Sequence, residues 1–126
     1  MTIPTPSLNG HALRIGIVDD DDDLRRALRR LLITAGFEVA AYASGEAFLA
    51  ADDAVDCLIL DVHLGGMTGL EVYRQLKETL APPPVVFITA HYELLGEIES
   101  MGTPCLPKPF GEQALVEAIR RARRAD

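Results

Sequence analysis

The chain has 126 residues, enough for one domain with a sizeable core, and an ordinary soluble balance of 48% apolar and 25% charged residues. Its formal net charge is −7, but only −2 without the five aspartates of one run, Asp19 to Asp23, so the acidity is one local feature. The basic face of a nucleic-acid binder is missing: only "RRARR", Arg120 to Arg124, resembles one, and it reads as a solvated helix end.

Cys57 and Cys105 sit in apolar stretches without metal-ligand or disulfide spacing, which suggests buried thiols in a reducing cytoplasm. No apolar run is long enough to cross a membrane, and "MTIPTPSLNGHA" lacks the features of a signal peptide. Residues 1–12 read as a flexible tail ahead of one domain over 13–126.

Along the chain, "LRIGIV" (13–18) is a buried strand. The helix from about Asp22 to Ala35 should place Leu24, Leu28, Leu31 and Ala35 on one face and stop at Gly36. "FEVAAY" (37–42) is a strand with a wetter side, and Ser44 can cap a short helix over 45–51. "DCLILD" (56–61) is apolar until its last residue. After the loop "VHLGGMTG", Thr68 and Glu71 form a capping box for a helix to about Thr79. "PVVFIT" (84–89) is buried, 90–102 is weakly helical, "PCLP" is a short strand, and 111–124 is a helix with Leu115, Ala118, Ile119 and Ala122 inward. Apolar strands alternating with helices predict a parallel sheet covered on both faces, a three-layer α/β sandwich.

Ligands of such sheets bind beyond the carboxyl ends of the strands. There the sequence puts Asp19 and Asp20, Asp61, Thr89 and Lys108. Two carboxylates about 4 Å apart repel by about 4 kcal/mol at an effective dielectric of 20, so three together call for a cation or a proton. Hard oxygen ligands suit Mg²⁺. Beside it, Lys108 and the Thr89 hydroxyl suit phosphate oxygens, and Asp61 at a strand end suits a nucleophile that forms an aspartyl-phosphate. Asp21 to Asp23 have a separate task, capping the next helix at its positive end.

The ordered set "IVDD" (17–20), "LILDVHLGGMTG" (58–69), "FITA" (87–90) and "KPF" (108–110) resembles the receiver domain of two-component response regulators, over about residues 13–124. "YASGEAFLA" and the first helix are similar to FixJ/NarL-type receivers. The resemblance implies a flavodoxin-like fold, strand order 2-1-3-4-5 with about five helices. It implies a phosphoacceptor at Asp61 and Mg²⁺ held by Asp20, Asp19, Asp61 and the His63 backbone carbonyl. Thr89 would be the switch hydroxyl, Ala90 a small residue leaving the site open, Lys108 the phosphate-binding lysine, and Lys108–Pro109 a cis bond. His63 and His91 would flank the approach of water and tune phosphoryl lifetime; exposed loop histidines without effect are the plainer alternative. The donor would be a sensor histidine kinase or phosphotransfer protein. The target would be a downstream protein or an output domain of the same chain, with no membrane and no direct nucleic-acid contact, and a homodimer is left open. A signalling module is expected, not an enzyme, though one that assists its own phosphorylation and dephosphorylation. Whether it stands alone or opens a longer regulator stays open.

Three departures stand out. Cys105 takes the place of the aromatic that lies three residues before the lysine in this family, which affects the switch. The segment between Thr89 and Lys108 is short and holds Gly96, Gly102 and Pro104, so its helix should be short or irregular. Gly65 replaces a common proline and should make the acceptor loop more permissive. The rival expectations are a haloacid-dehalogenase-like Mg²⁺-dependent phosphatase and a receiver-like binding module indifferent to phosphorylation. The first would want a second aspartate two places after the nucleophile, where His63 stands.

Overall fold

The strands alternate side chains between two cores, and this sorts the whole molecule. In a computed structural model that describes residues 12–124, Arg14–Val18 (β1), Glu38–Tyr42 (β2), Cys57–Asp61 (β3), Val85–Thr89 (β4) and Cys105–Pro107 (β5) form one parallel sheet. The order is β2-β1-β3-β4-β5, as expected. Ile15, Ile17, Cys57, Ile59, Val86 and Ile88 point to one face, and Val18, Leu58, Leu60, Val85 and Phe87 to the other. Period-two projection explains why β3 and β4 are apolar throughout: both faces are covered.

The first face is closed by Asp22–Thr34 (α1) and Glu112–Arg124 (α5), the second by Gly45–Ala51 (α2), Gly69–Lys77 (α3) and Leu95–Glu99 (α4). α5 buries Leu115, Ala118, Ile119 and Ala122 as its spacing predicts. α1 departs slightly from expectation. Its fully buried residues are Leu28 and Leu32, while Leu24 and Leu31 pack half-exposed at the edge of the core. The helix is rolled toward Leu32 by the sheet it lies on, which periodicity alone does not reveal. Gly36, at φ +100°, ends it in a conformation that a side chain rarely adopts.

The capping devices stand where the sequence put them. Asp21 accepts hydrogen bonds from the amides of Asp23 and Leu24, Ser44 from Ala47, and Thr68 and Glu71 complete a capping box. Asp22 and Asp23 lie in the first turn and pair with Arg25 and Arg26. The segment after β4 is a 3-10 turn, Tyr92–Leu94, followed by the five residues of α4, so this helix is indeed short. Both cysteines are buried. No helix among the described residues is long and apolar enough to cross a membrane. The expected flexible tail falls almost wholly on residues 1–11, outside the described residues.

Candidate functional site

Strand register builds the site. Val18 pairs with Leu60, so the next residues, Asp19 and Asp61, leave the sheet side by side; Asp61 itself pairs with Ile88, one residue before Thr89. Thr89 pairs with Pro107, and Lys108 then donates its backbone N–H to the Thr89 carbonyl at 2.8 Å. Residues distant in the chain therefore share one rim because parallel strands end together.

Asp19 is fully buried and Asp61 is 4% exposed, while Asp20 is exposed. The Lys108 ammonium bridges the two buried carboxylates, 3.1 Å from Asp19 Oδ2 and 3.0 Å from Asp61 Oδ2. Burial pushes the Asp61 carboxyl above its usual range; the hydrogen bond from Lys108 opposes this, and the charge of Asp19 adds to it. Burial works against the charge of Lys108, yet the hydrogen bonds and charges of Asp61 and Asp19 prevail and hold it above its ordinary value.

Each carboxylate is oriented by backbone. Asp19 Oδ1 accepts the N–H of Asp21 at 2.8 Å, Asp61 Oδ1 that of His63 at 3.1 Å, and Asp20 Oδ2 that of Gly65 at 3.1 Å. The Gly65 contact explains one departure in physical terms, since a proline there would have no N–H to give. The permissive backbone lies one residue on: φ is +75° at Gly66, and Gly65 does not have a positive φ.

Carboxylate oxygens of Asp19, Asp20 and Asp61 all lie within 4.8 Å of one another. Three hard anionic oxygens, two on buried residues and one on an exposed residue, fit a small divalent cation that keeps part of its water shell. The buried Thr89 hydroxyl accepts the N–H of His91 at 2.9 Å, a contact that does not use the hydroxyl's own hydrogen. Ala90 is exposed beside it. The His63 and His91 rings stack with centroids 4.0 Å apart. Lys108–Pro109 is cis. Cys105 lies buried in the core of the α2–α3–α4 face, with no aromatic in its place.

Three contributors carried little sequence signal. A Cβ on Gly69 would stand 2.1 Å from the Asp61 carbonyl oxygen, so α3 begins in direct contact with the backbone of Asp61. The Tyr92 hydroxyl donates to the Lys108 carbonyl at 3.1 Å. Arg25 Nη1 donates to the Asp19 carbonyl at 2.9 Å, steadying the aspartate pair from α1. Gly69 closes the quoted "LGGMTG" and so was visible as a glycine, but its close approach was not.

The family model for the response regulator receiver domain matches residues 15–120. The chain is 37% identical over 120 residues to the response regulator protein TodT of Pseudomonas putida, covering 91% of this chain and 53% of TodT. It is 33% identical over 114 residues to the transcriptional regulatory protein FixJ of Azorhizobium caulinodans, covering 86% of this chain and 54% of FixJ. The chain spans about half the length of the curated relatives it matches. Among solved structures, the response regulator StyR aligns with a TM-score of 0.77 at 39% identity, over 90% of this chain and 60% of that one. The Thermotoga maritima response regulator TrrA, solved in complex with Mg²⁺ and BeF, aligns with a TM-score of 0.78 at 26% identity, over 87% and 98%. An acidic pocket of Asp19, Asp20 and Asp61 at the strand ends, on this fold and with these relatives, has one reading: the chain belongs to the family of response regulator receiver domains.

Proposed function

We propose that this domain takes a phosphoryl group onto Asp61 from a phosphohistidine of a sensor histidine kinase or phosphotransfer protein. The observation that carries the reading is the lysine-bridged pair Asp19 and Asp61, with Asp20 at its open side. An Asp61 carboxylate oxygen attacks phosphorus in line, the bond from phosphorus to the donor nitrogen breaks, and an acyl phosphate forms. Lys108 moves its charge from the carboxylates to a phosphoryl oxygen, and Thr89 donates its O–H to another. Asp19, Asp20, Asp61 and the His63 carbonyl are the residues that would hold Mg²⁺. Bound there, the ion offsets the charge of the carboxylates and phosphoryl oxygens as they converge. His63 and His91, each two residues beyond a site residue, adjust how readily water reaches the acyl phosphate.

Output does not use an aromatic at position 105. The contact between Tyr92 and the Lys108 carbonyl supplies another link from the phosphate-binding loop to α4. As Lys108 turns toward phosphate, that link carries the change to Tyr92–Leu94 and the short α4, and so to a protein partner or an output domain. A kinase-borne donor places the domain in the cytoplasm. The domain is a signalling module, and its part in chemistry is confined to its own phosphorylation and dephosphorylation. The phosphatase reading is not favoured: the family is that of receivers, and His63 stands where the second aspartate would be.

The test is intact mass after incubation with acetyl phosphate, with and without Mg²⁺, beside Asp61→Asn. A Mg²⁺-dependent gain of one phosphoryl group, lost in the variant, is expected. No gain under any condition would overturn the reading and leave a phosphorylation-independent binding module.

A further inference from the structure

The three carboxylates at the strand ends are not held alike. Asp19 and Asp61 are buried, and each accepts from the Lys108 ammonium on Oδ2 and from a backbone N–H on Oδ1, that of Asp21 and that of His63. Asp20 is exposed, and among the described residues its side chain has one hydrogen bond, from the Gly65 N–H to Oδ2 at 3.1 Å. A carboxylate that turns freely in water loses rotamer freedom when it closes on a cation. Gly65 removes part of that freedom beforehand. The loop that carries Gly65 is itself exposed and needs a second hold. Two residues on, the Met67 N–H donates to Glu46 Oε2 at 3.3 Å, and Glu46 stands in the first turn of α2. That oxygen lies so close over Gly66 that a Cβ there would meet it at 2.8 Å. The loop between β3 and α3 is thus slung between two carboxylates, Asp20 and Glu46.

We infer that Gly65 and Glu46 are positioning residues for the cation: the Gly65 N–H aims Asp20 at it, and Glu46 holds the loop that presents this N–H. The inference rests on the reading that Asp19, Asp20 and Asp61 hold Mg²⁺. Neither Gly65 nor Glu46 is a ligand, since among the described residues only the three aspartates bring their oxygens together. A carboxylate has about four lone-pair sites, so Asp20 can keep the Gly65 bond while it meets the ion. Cation binding and the seating of the loop therefore favour one another. A proline at position 65 would lack the N–H and leave Asp20 without this hold.

The test is a Mg²⁺ titration of the whole chain followed by amide NMR shifts, with amide exchange recorded in chelator and in Mg²⁺. Gly65→Pro should raise the dissociation constant by about threefold to tenfold, the span that one hydrogen bond of ordinary net strength corresponds to. Gly65→Ala restores the N–H, and its Cβ would stand in ordinary contact 3.8 Å from Asp20 Oδ2, so it should restore the affinity. Glu46→Ala should weaken binding by about twofold to fivefold, and Glu46→Gln, which keeps an acceptor oxygen without the charge, should recover it. In the wild type, the Gly65 amide should exchange more slowly with Mg²⁺ than in chelator. Wild-type affinity in both Gly65→Pro and Glu46→Ala would overturn the inference. So would a Gly65 amide that exchanges faster with Mg²⁺, because the ion would then displace the bond. Equal loss in Glu46→Gln and Glu46→Ala would assign the effect to charge and overturn the part given to Glu46. If Gly65→Pro does not fold, Glu46→Ala and the Gly65 amide decide. A wild type that binds no Mg²⁺ would overturn the reading of the aspartate trio and this inference with it, whereas binding indifferent to both residues would overturn the inference alone.

Discussion

Gly69 presses directly on Asp61. A Cβ at Gly69 would meet the Asp61 carbonyl oxygen at 2.1 Å and the Val62 Cα at 3.0 Å, and the Gly69 N–H donates to the Val62 carbonyl at 3.0 Å. The obstacle is backbone, so no rotamer change relieves it. Gly69→Ala must push α3 away from the end of β3. A cost of about 1–3 kcal/mol in urea unfolding is expected from such overpacking, together with slower phosphoryl uptake because the acceptor is displaced. Wild-type stability in the variant would refute the close packing.

Mg²⁺ and Asp61→Asn should each stabilise the domain, but not additively. Burial and the charge of Asp19 disfavour the Asp61 carboxylate, so in chelator at pH 7 the Asn variant should unfold at higher urea than wild type. With Mg²⁺ at about 100 times its dissociation constant, wild type should gain about 2.7 kcal/mol. Asp61→Asn should gain far less, and Asp20→Asn should need more Mg²⁺ for the same gain. Equal gains in all three proteins would place the ion elsewhere.

Cys105 sets a pH test. Burial, and then the charge of Glu99, push its thiol up to about 11. A thiol raised in the folded state gives stability that is fully present below its ordinary value, near 9, and is lost as pH rises through about 11. Wild type should therefore lose stability relative to Cys105→Ala over that window and not below it. Peptide mapping after alkylation at pH 8 should show Cys105 protected in the native protein and reactive in urea.

Tyr92→Phe removes only a hydroxyl. Tyr92 is 60% exposed, so its bond to the Lys108 carbonyl should be worth no more than about 1 kcal/mol. If it couples the lysine loop to α4, phosphorylation should alter amide exchange in 92–99 in wild type and much less in the variant. An identical response in both proteins would remove Tyr92 from the output path.

Element order, the parallel sheet and the polar residues at its carboxyl edge were legible along the chain, because those signals are local. An apolar run ending in Asp61, a capping box at Thr68 and Glu71, and five aspartates split between site and helix cap can be read within a few residues. Which residues meet depended on packing between elements far apart in the chain. Lys108 reaches Asp19 across 89 positions, Tyr92 reaches its carbonyl partner across 16, and His63 stacks on His91 because two neighbouring strands end in register. The same holds for Leu32 over Leu31 in the α1 core and for the contact of Gly69 with Asp61. Helical roll and backbone approach are set by packing between elements, and chain periodicity records only which face is apolar, not how that face is turned when it lands.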